Sequence, residues 1–321
     1  MLATAAVIVG MLLPGMHPPA HGTHGHRLQD VSGPAVPHRR DTRAPQTDQT
    51  ISVATGARLT VRNFAGEVVI RTWDRDQLRV QARHVARAKV NVRQTGNAVL
   101  ITSETSGAVS VDYEINAPAW MPIKVEGTYN FITVEGSQSD VTAETVRGDV
   151  IIKGGNGTII AKSIQGEVSV EGARGRITAS SVNEGVRVAA SSGDIAVETT
   201  NGHISLTRIT SPSVDATTVN GHIVYDGSVA DKGRYRFATH NGTITVTVPA
   251  ESNATFNVRT YNGDFVSNLN LNGPPRSEVR RGRRVTYTLG NGSADMEMES
   301  FAGPIKIQRS GSSSSTKDKK D

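Results

Sequence analysis

Between Met121 and Gly202 the chain keeps a nine-residue step, with slots at 121, 130, 139, 148, 157, 166, 175, 184, 193 and 202. Gly fills six of them: Gly148, Gly157, Gly166, Gly175, Gly193 and Gly202. Two and four residues past every slot the side chain is apolar, from Ile123 and Val125 through Val150 and Ile152 to Ile204 and Leu206. The residue between each pair is mostly polar, as at Lys124, Thr133, Ser169 and Arg187. Apolar, polar, apolar is a short strand with one buried face. Gly ahead of it supplies a tight corner.

A finer alternation sets the true period. The second apolar position holds Ala143, Ala161 and Ala179, while the units between hold Ile152, Val170 and Val188. Two unlike strands therefore alternate, one narrow and one wide. An antiparallel meander would need a separate cover for its apolar face, and no amphipathic helix is available. Past Gly202 the register continues with insertions, and Tyr225, Tyr235, Phe237 and Phe256 enter inner positions as the coils widen. Asn-Gly at Asn201, Asn220, Asn241, Asn262 and Asn291 predicts stacked left-handed turns. The expected fold is all-β: a β-solenoid, or single-stranded β-helix, of roughly 18–21-residue coils with two short strands each and an N-terminal β cap. Stacked in chain order, the coils make a rod roughly 45 Å long.

Residues 51–120 are strand-like, with Leu59 and Val61, Val68 and Ile70, Val99 and Ile101, but are read as losing the nine-residue step and forming either that cap or a small β layer continuous with the rod. The apolar run Leu2 to Leu13 is too short for a bilayer span of about 20 residues and fits a secretory signal, although Arg27 is the first basic residue. The expected organisation is a signal peptide at 1–22, a disordered linker at 23–50, the cap at 51–120, the solenoid at 121–309 and a disordered tail at 310–321.

Composition narrows the chemistry. With no Cys, disulfides, thiolate metal sites and thiol catalysis are excluded. Aromatic residues are only 4% of the chain, which argues against base-stacking platforms and aromatic sugar clefts. A net charge of +5 is mild for 321 residues; it suits contact with acidic envelope polymers and falls short of a nucleic-acid signature.

Candidate sites follow from the corners. Gly154 to Ile159 opens like a calcium-binding nonapeptide, yet Ile159 stands where a carboxylate is required. His203 and His222 should stack one coil apart without a third metal ligand. Asp149 and Glu167 should be neighbours at equivalent corners, with Asp194 on the other side, and read as solvated charges rather than a catalytic pair. Arg280, Arg281, Arg283 and Arg284 flank Gly282 and form the best candidate for an anionic-ligand patch. No catalytic, cofactor or metal residues are assigned.

Asn63-Phe-Ala-Gly66-Glu-Val-Val-Ile70, Thr72-Trp73-Asp74, Val111 to Ile115 with Pro118, and repeated units such as Thr145 to Val150 resemble the bacterial "putative adhesin" family of β-strand-repeat domains of unknown function. The resemblance covers roughly 51–309 and implies an envelope or surface location without a catalytic motif. The expected function is a non-enzymatic exported module, adhesive or structural, that is periplasmic, outer-surface or secreted, with no transmembrane span in the mature chain. Its partners would be envelope polymers or another envelope protein. A periplasmic scaffold or envelope-stress sensor is the first alternative, and a carbohydrate-active β-helix enzyme the second.

Overall fold

One side of every short strand is apolar and the next corner turns the chain back, so successive strands bury their apolar sides against each other. The computed structural model describes residues 46–105, 109–275 and 282–311. Among them every regular element is a strand, and all join one hydrogen-bonded sheet. The N-terminal strands are β1 (Thr47–Ser52), β2 (Arg58–Trp73), β3 (Gln77–Arg83), β4 (Ala88–Thr95), β5 (Ala98–Thr105) and β6 (Asp112–Pro118). The repeat region follows with β7 (Ile123–Ser137), β8 (Val141–Arg147), β9 (Val150–Gly154), β10 (Asn156–Gln165), β11 (Val168–Glu171), β12 (Arg174–Ser180), β13 (Val186–Ala189), β14 (Ser192–Thr199) and β15 (Ile204–Asn220). The last are β16 (Ile223–Gly227), β17 (Arg234–Asn241), β18 (Ile244–Val248), β19 (Ala254–Asn262), β20 (Phe265–Ser267), β21 (Val285–Leu289), β22 (Ala294–Ala302) and β23 (Ile305–Arg309).

Parallel pairing builds two stacked faces. On one, Val141, Ile159, Ile177 and Ile195 stand in register; on the other, Val150, Val168, Val186 and Ile204 do. Partners are 18 residues apart here, so Ala143, Ala161 and Ala179 stack on each other and face the larger Ile152, Val170 and Val188 across the core. Ile204 pairs with Ile223 and Ile223 with Ile244, so the step lengthens, and the added width is filled by aromatic rings. Tyr225 lies 5.2 Å from Phe237 and 5.9 Å from Tyr235. The Tyr235 hydroxyl donates to Ser211 O at 2.7 Å, and that of Tyr225 to Ser228 O at 2.7 Å, so neither buried phenol lacks an acceptor. Burial pushes the Tyr225 phenol well above its ordinary pKa.

Several strands are longer than a single repeat unit. β2, β7 and β15 each run through a corner and contribute to both faces. At Pro212, which stands where a repeat Gly is expected, the register slips between Ser192 and Asp194, and Arg208 takes a left-handed φ of 53°.

Two sequence readings are corrected. The nine-residue step begins earlier than Met121, because Leu59 with Val61 and Val68 with Ile70 already keep it. β2 lies directly on β7 as a parallel coil from Leu59↔Ile123 to Arg71↔Glu135. Beyond β2 come the parallel β5 and β6, and then β4, β3 and β1 reverse to antiparallel pairing. β1 also takes in Thr47 to Thr50, which the composition assigns to linker.

The second correction is at the other end, where space and sequence disagree in order. β22 and β23 lie between β17–β18 and β19–β20: Phe237 pairs with Met298, and Met298 in turn with Val258. The cause is β21, which turns antiparallel on the outer side of β19 and sends the chain back past its start. There the Asn291 N–H donates to Asn253 Oδ1 at 3.0 Å, and Ser293 Oγ donates to Asp231 Oδ1 at 2.9 Å.

Candidate functional site

One corner of the coil repeats the same four-residue chemistry: a buried hydroxyl, an outward apolar residue, a planar polar residue and Gly. Examples are Thr145-Val-Arg-Gly148, Ser163-Ile-Gln-Gly166 and Thr218-Val-Asn-Gly221, and Ser300-Phe-Ala-Gly303 keeps the pattern with Ala302 in the polar place. The hydroxyl closes the turn by donating to the corner carbonyl of the layer beneath. Ser163 Oγ reaches Gly148 O at 2.9 Å, Ser181 Oγ Gly166 O at 2.9 Å, Thr218 Oγ1 Gly202 O at 3.0 Å and Thr239 Oγ1 Gly221 O at 2.9 Å. In β7 the roles are exchanged: Asn130 sits in the Gly position, and its Nδ2 donates to Gly66 O at 2.9 Å. Gly127 takes the hydroxyl position, where a Cβ would come within 2.5 Å of Asn130 Oδ1.

The expectation of left-handed Asn-Gly turns is met at Asn291, where Gly292 has a φ of 73°, and fails at the other four pairs. Neither Asn201, Asn220, Asn241 and Asn262 nor the Gly after each adopts a positive φ. Gly is required for close approach: a Cβ at Gly202, Gly221 or Gly242 would lie 1.8–1.9 Å from the carbonyl oxygen beneath. The asparagines form a ladder, Asn220 Nδ2 donating to Asn201 Oδ1 at 2.9 Å and Asn241 Nδ2 to Asn220 Oδ1 at 2.8 Å.

The outward residue of the motif makes this corner distinctive. Register places Phe64, Thr128, Val146, Ile164, Val182, Thr200, Val219, His240, Phe301 and Tyr261 in one column. Eight of the eleven exposed large hydrophobic side chains among the described residues lie on this corner: Phe64, Tyr129, Phe131, Val146, Ile164, Val182, Val219 and Phe301. At about 4.8 Å per layer the seam runs for roughly 43 Å. Thr128, Thr200 and His240 interrupt it, and the side chains between them are apolar and exposed. Aromatic rings gather at both ends: Phe64 and Tyr129 meet edge-on at 5.4 Å, while His240 stacks on Phe301 at 4.5 Å and Tyr261 lies 5.2 Å beyond.

At the N-terminal end the Gly column opens a groove of about 480 Å³. Gly148 and Gly166 form its floor, Arg147 and Gln165 one wall, Asp149 and Glu167 the other; Tyr129 and Phe131 stand at one end and Glu184 at the other. The walls are held from within the sheet. Arg147 Nε donates to Gln165 Oε1 at 2.7 Å, with its guanidinium 5.5 Å from the Tyr129 ring centroid. The Glu167 N–H donates to Asp149 Oδ1 at 2.8 Å, and Arg187 lies 3.1 Å from the Glu167 carboxylate.

Asp149 and Glu167 are thus neighbours, and Asp194 pairs in the opposite column with Arg176. His203 and His222 stack at 4.8 Å, 7° from parallel. His203 Nδ1 accepts the His222 N–H and His222 Nδ1 that of Thr243, each at 2.9 Å, so these nitrogens serve the ladder. Among the described residues no three His, Asp or Glu side chains gather to hold a metal ion. Ile159, in the calcium-like motif, is fully buried. Arg280 and Arg281 lie outside the described residues. Arg283 is exposed, and the Arg284 guanidinium contacts the Glu297 carboxylate on β22. No described helix is long and apolar enough to cross a membrane.

No curated protein matches the chain. Solved structures resemble it at low identity. A "putative adhesin" from Parabacteroides distasonis is 8% identical with a TM-score of 0.45, covering 82% of this chain and 96% of that one. One from Bacteroides fragilis is 13% identical with a TM-score of 0.43, covering 81% and 96%, and one from Parabacteroides merdae is 9% identical at 0.42, covering 82% and 95%. The family model "Toastrack DUF4097" matches residues 57–308, taking in the whole repeat stack from β2 to β23, and the chain belongs to that family.

Proposed function

We propose that the chain is an exported, non-enzymatic envelope module, adhesive or structural, that works by display along one corner of a β-solenoid. In this reading the coils of roughly 18–21 residues form the rod, and the antiparallel strands of the 51–120 region cap it against edge pairing. Residues 1–22 direct export. The observation that carries the reading is the seam. A rod whose outer faces carry mostly polar side chains and exposed ion pairs, such as Lys153–Glu135 at 2.9 Å, with only Val85, Val224 and Val266 as other exposed large hydrophobics among the described residues, concentrates its apolar exposure on a single corner. Large contiguous apolar exposure marks interaction surfaces. A rigid stack presents it as weak contacts repeated at fixed spacing. Arg280, Arg281, Arg283 and Arg284 would add a contact for anionic ligands, with Arg284 already paired with Glu297.

The test is co-sedimentation of purified protein with envelopes of its native cells. Changing Val146, Ile164, Val182 and Val219 together to Ser should cut the bound fraction about fivefold while leaving the fold intact. Equal retention of wild type and variant would remove the seam from the account.

A further inference from the structure

We propose that the groove over Gly148 and Gly166 binds a non-acidic oligosaccharide, one built of neutral or amino sugars; this deepens the binding-module reading and rests on it. A sugar ring has C–H groups on its faces and hydroxyls around its edge. Its site therefore needs an accessible aromatic platform beside planar side chains that can grip neighbouring hydroxyls. Both are assembled here by the register of the coils. Tyr129 and Phe131, 46% and 43% exposed, stand at one end of the groove, with the Arg147 guanidinium against the Tyr129 ring and Phe64 edge-on to it. One layer on, Arg147 and Asp149 face each other across the Gly floor; a second layer on, Gln165 and Glu167 do the same. The volume of about 480 Å³ suits one or two rings.

Charge selects within the sugars. Asp149, Glu167 and Glu184 border the groove against Arg147 alone, and even with Arg187 beyond Glu167 the balance is negative. A uronic-acid polymer is disfavoured and an amino sugar attracted. The role is one of binding; Asp149 Oδ1 accepts the Glu167 N–H and Glu167 is paired with Arg187, which fixes both carboxylates at the groove's edge.

The test is calorimetric titration of the full chain with a glucosamine trimer, its N-acetylated counterpart and a galacturonate trimer, with trilysine as a charge control. Both aminosugar trimers should bind, and the galacturonate trimer about tenfold more weakly or worse. Tyr129→Ala with Phe131→Ala should weaken the aminosugar trimers at least about tenfold, since truncating exposed rings opens no core. Asp149→Asn with Glu167→Gln should abolish the preference for the glucosamine trimer over the N-acetylated one. In the unaltered protein, the Tyr129 and Phe131 ring resonances should shift on titration, which needs no variant to fold. Trilysine binding as well as the glucosamine trimer, or unmoved ring resonances, would overturn the proposal and reduce the groove to an acidic notch. Release of reducing ends would overturn it in favour of an enzyme. A silent titration from a protein that still co-sediments with envelopes through its seam would reject the sugar site and leave the module reading standing.

Discussion

A methyl group at Gly202 would sit 1.9 Å from Glu184 O, whereas one at Gly185, a single column away, would meet nothing closer than His203 O at 3.2 Å. Gly202→Ala should therefore cost about 2 kcal/mol or more, because backbone on both sides must shift, and Gly185→Ala well under 1 kcal/mol. Urea unfolding midpoints of the two variants check this; equal midpoints would mean that the corner yields readily. The contrast also shows where sequence reasoning stops. The recurrence of Asn-Gly was visible, but its cause was not: the pattern suggests left-handed turns, and the packing of one coil's Gly on the next coil's carbonyl appears only once the layers are stacked. Thr145, Ser163, Ser181, Thr199, Thr218 and Thr239 were visible too, each three residues before a repeat slot. Their role is not legible there, because a buried hydroxyl and an exposed one look alike in sequence.

At the scale of elements, the nine-residue step fixes the repeat from β7 to β15 because each layer there depends only on its neighbours. It does not reveal that β22 and β23 fill the place between β17–β18 and β19–β20. Nothing local distinguishes a coil stacked in chain order from one inserted later, and Phe256 with Val258 fits either arrangement. The missing signal lies in the antiparallel β21 and the Gly290-Asn291-Gly292 return, whose contacts with Asn253 are nonlocal. Because the chain has no Cys, the order can be read chemically. Arg236→Cys with Glu297→Cys, outward-facing partners on adjacent strands, should oxidise to a disulfide, since neighbouring strands are about 4.8 Å apart and within bridging range. Arg236→Cys with Asn257→Cys, one strand further away, should stay reduced. The opposite result on non-reducing gels would restore chain-order stacking.

For the whole molecule, the fold class was legible from twenty apolar positions, while the candidate site was legible only in pieces. An aromatic content of 4% argues against an aromatic cleft, yet composition averages over position. β2 contributes Phe64 and β7 contributes Tyr129 and Phe131, and pairing Glu67 with Phe131 gathers all three on one corner. The seam was hidden for a related reason: strand alternation breaks at a corner, so Val146, Ile164, Val182 and Val219 fall outside the counted apolar pairs. An exposed seam on a rigid stack has a use only where a partner can reach it, which makes location the central claim. Protease treatment of intact native cells, with lysed cells as control, addresses it directly. On intact cells the repeat region should be reached and cut. Protection until lysis would contradict display at the surface and make a periplasmic scaffold or envelope-stress sensor the working description.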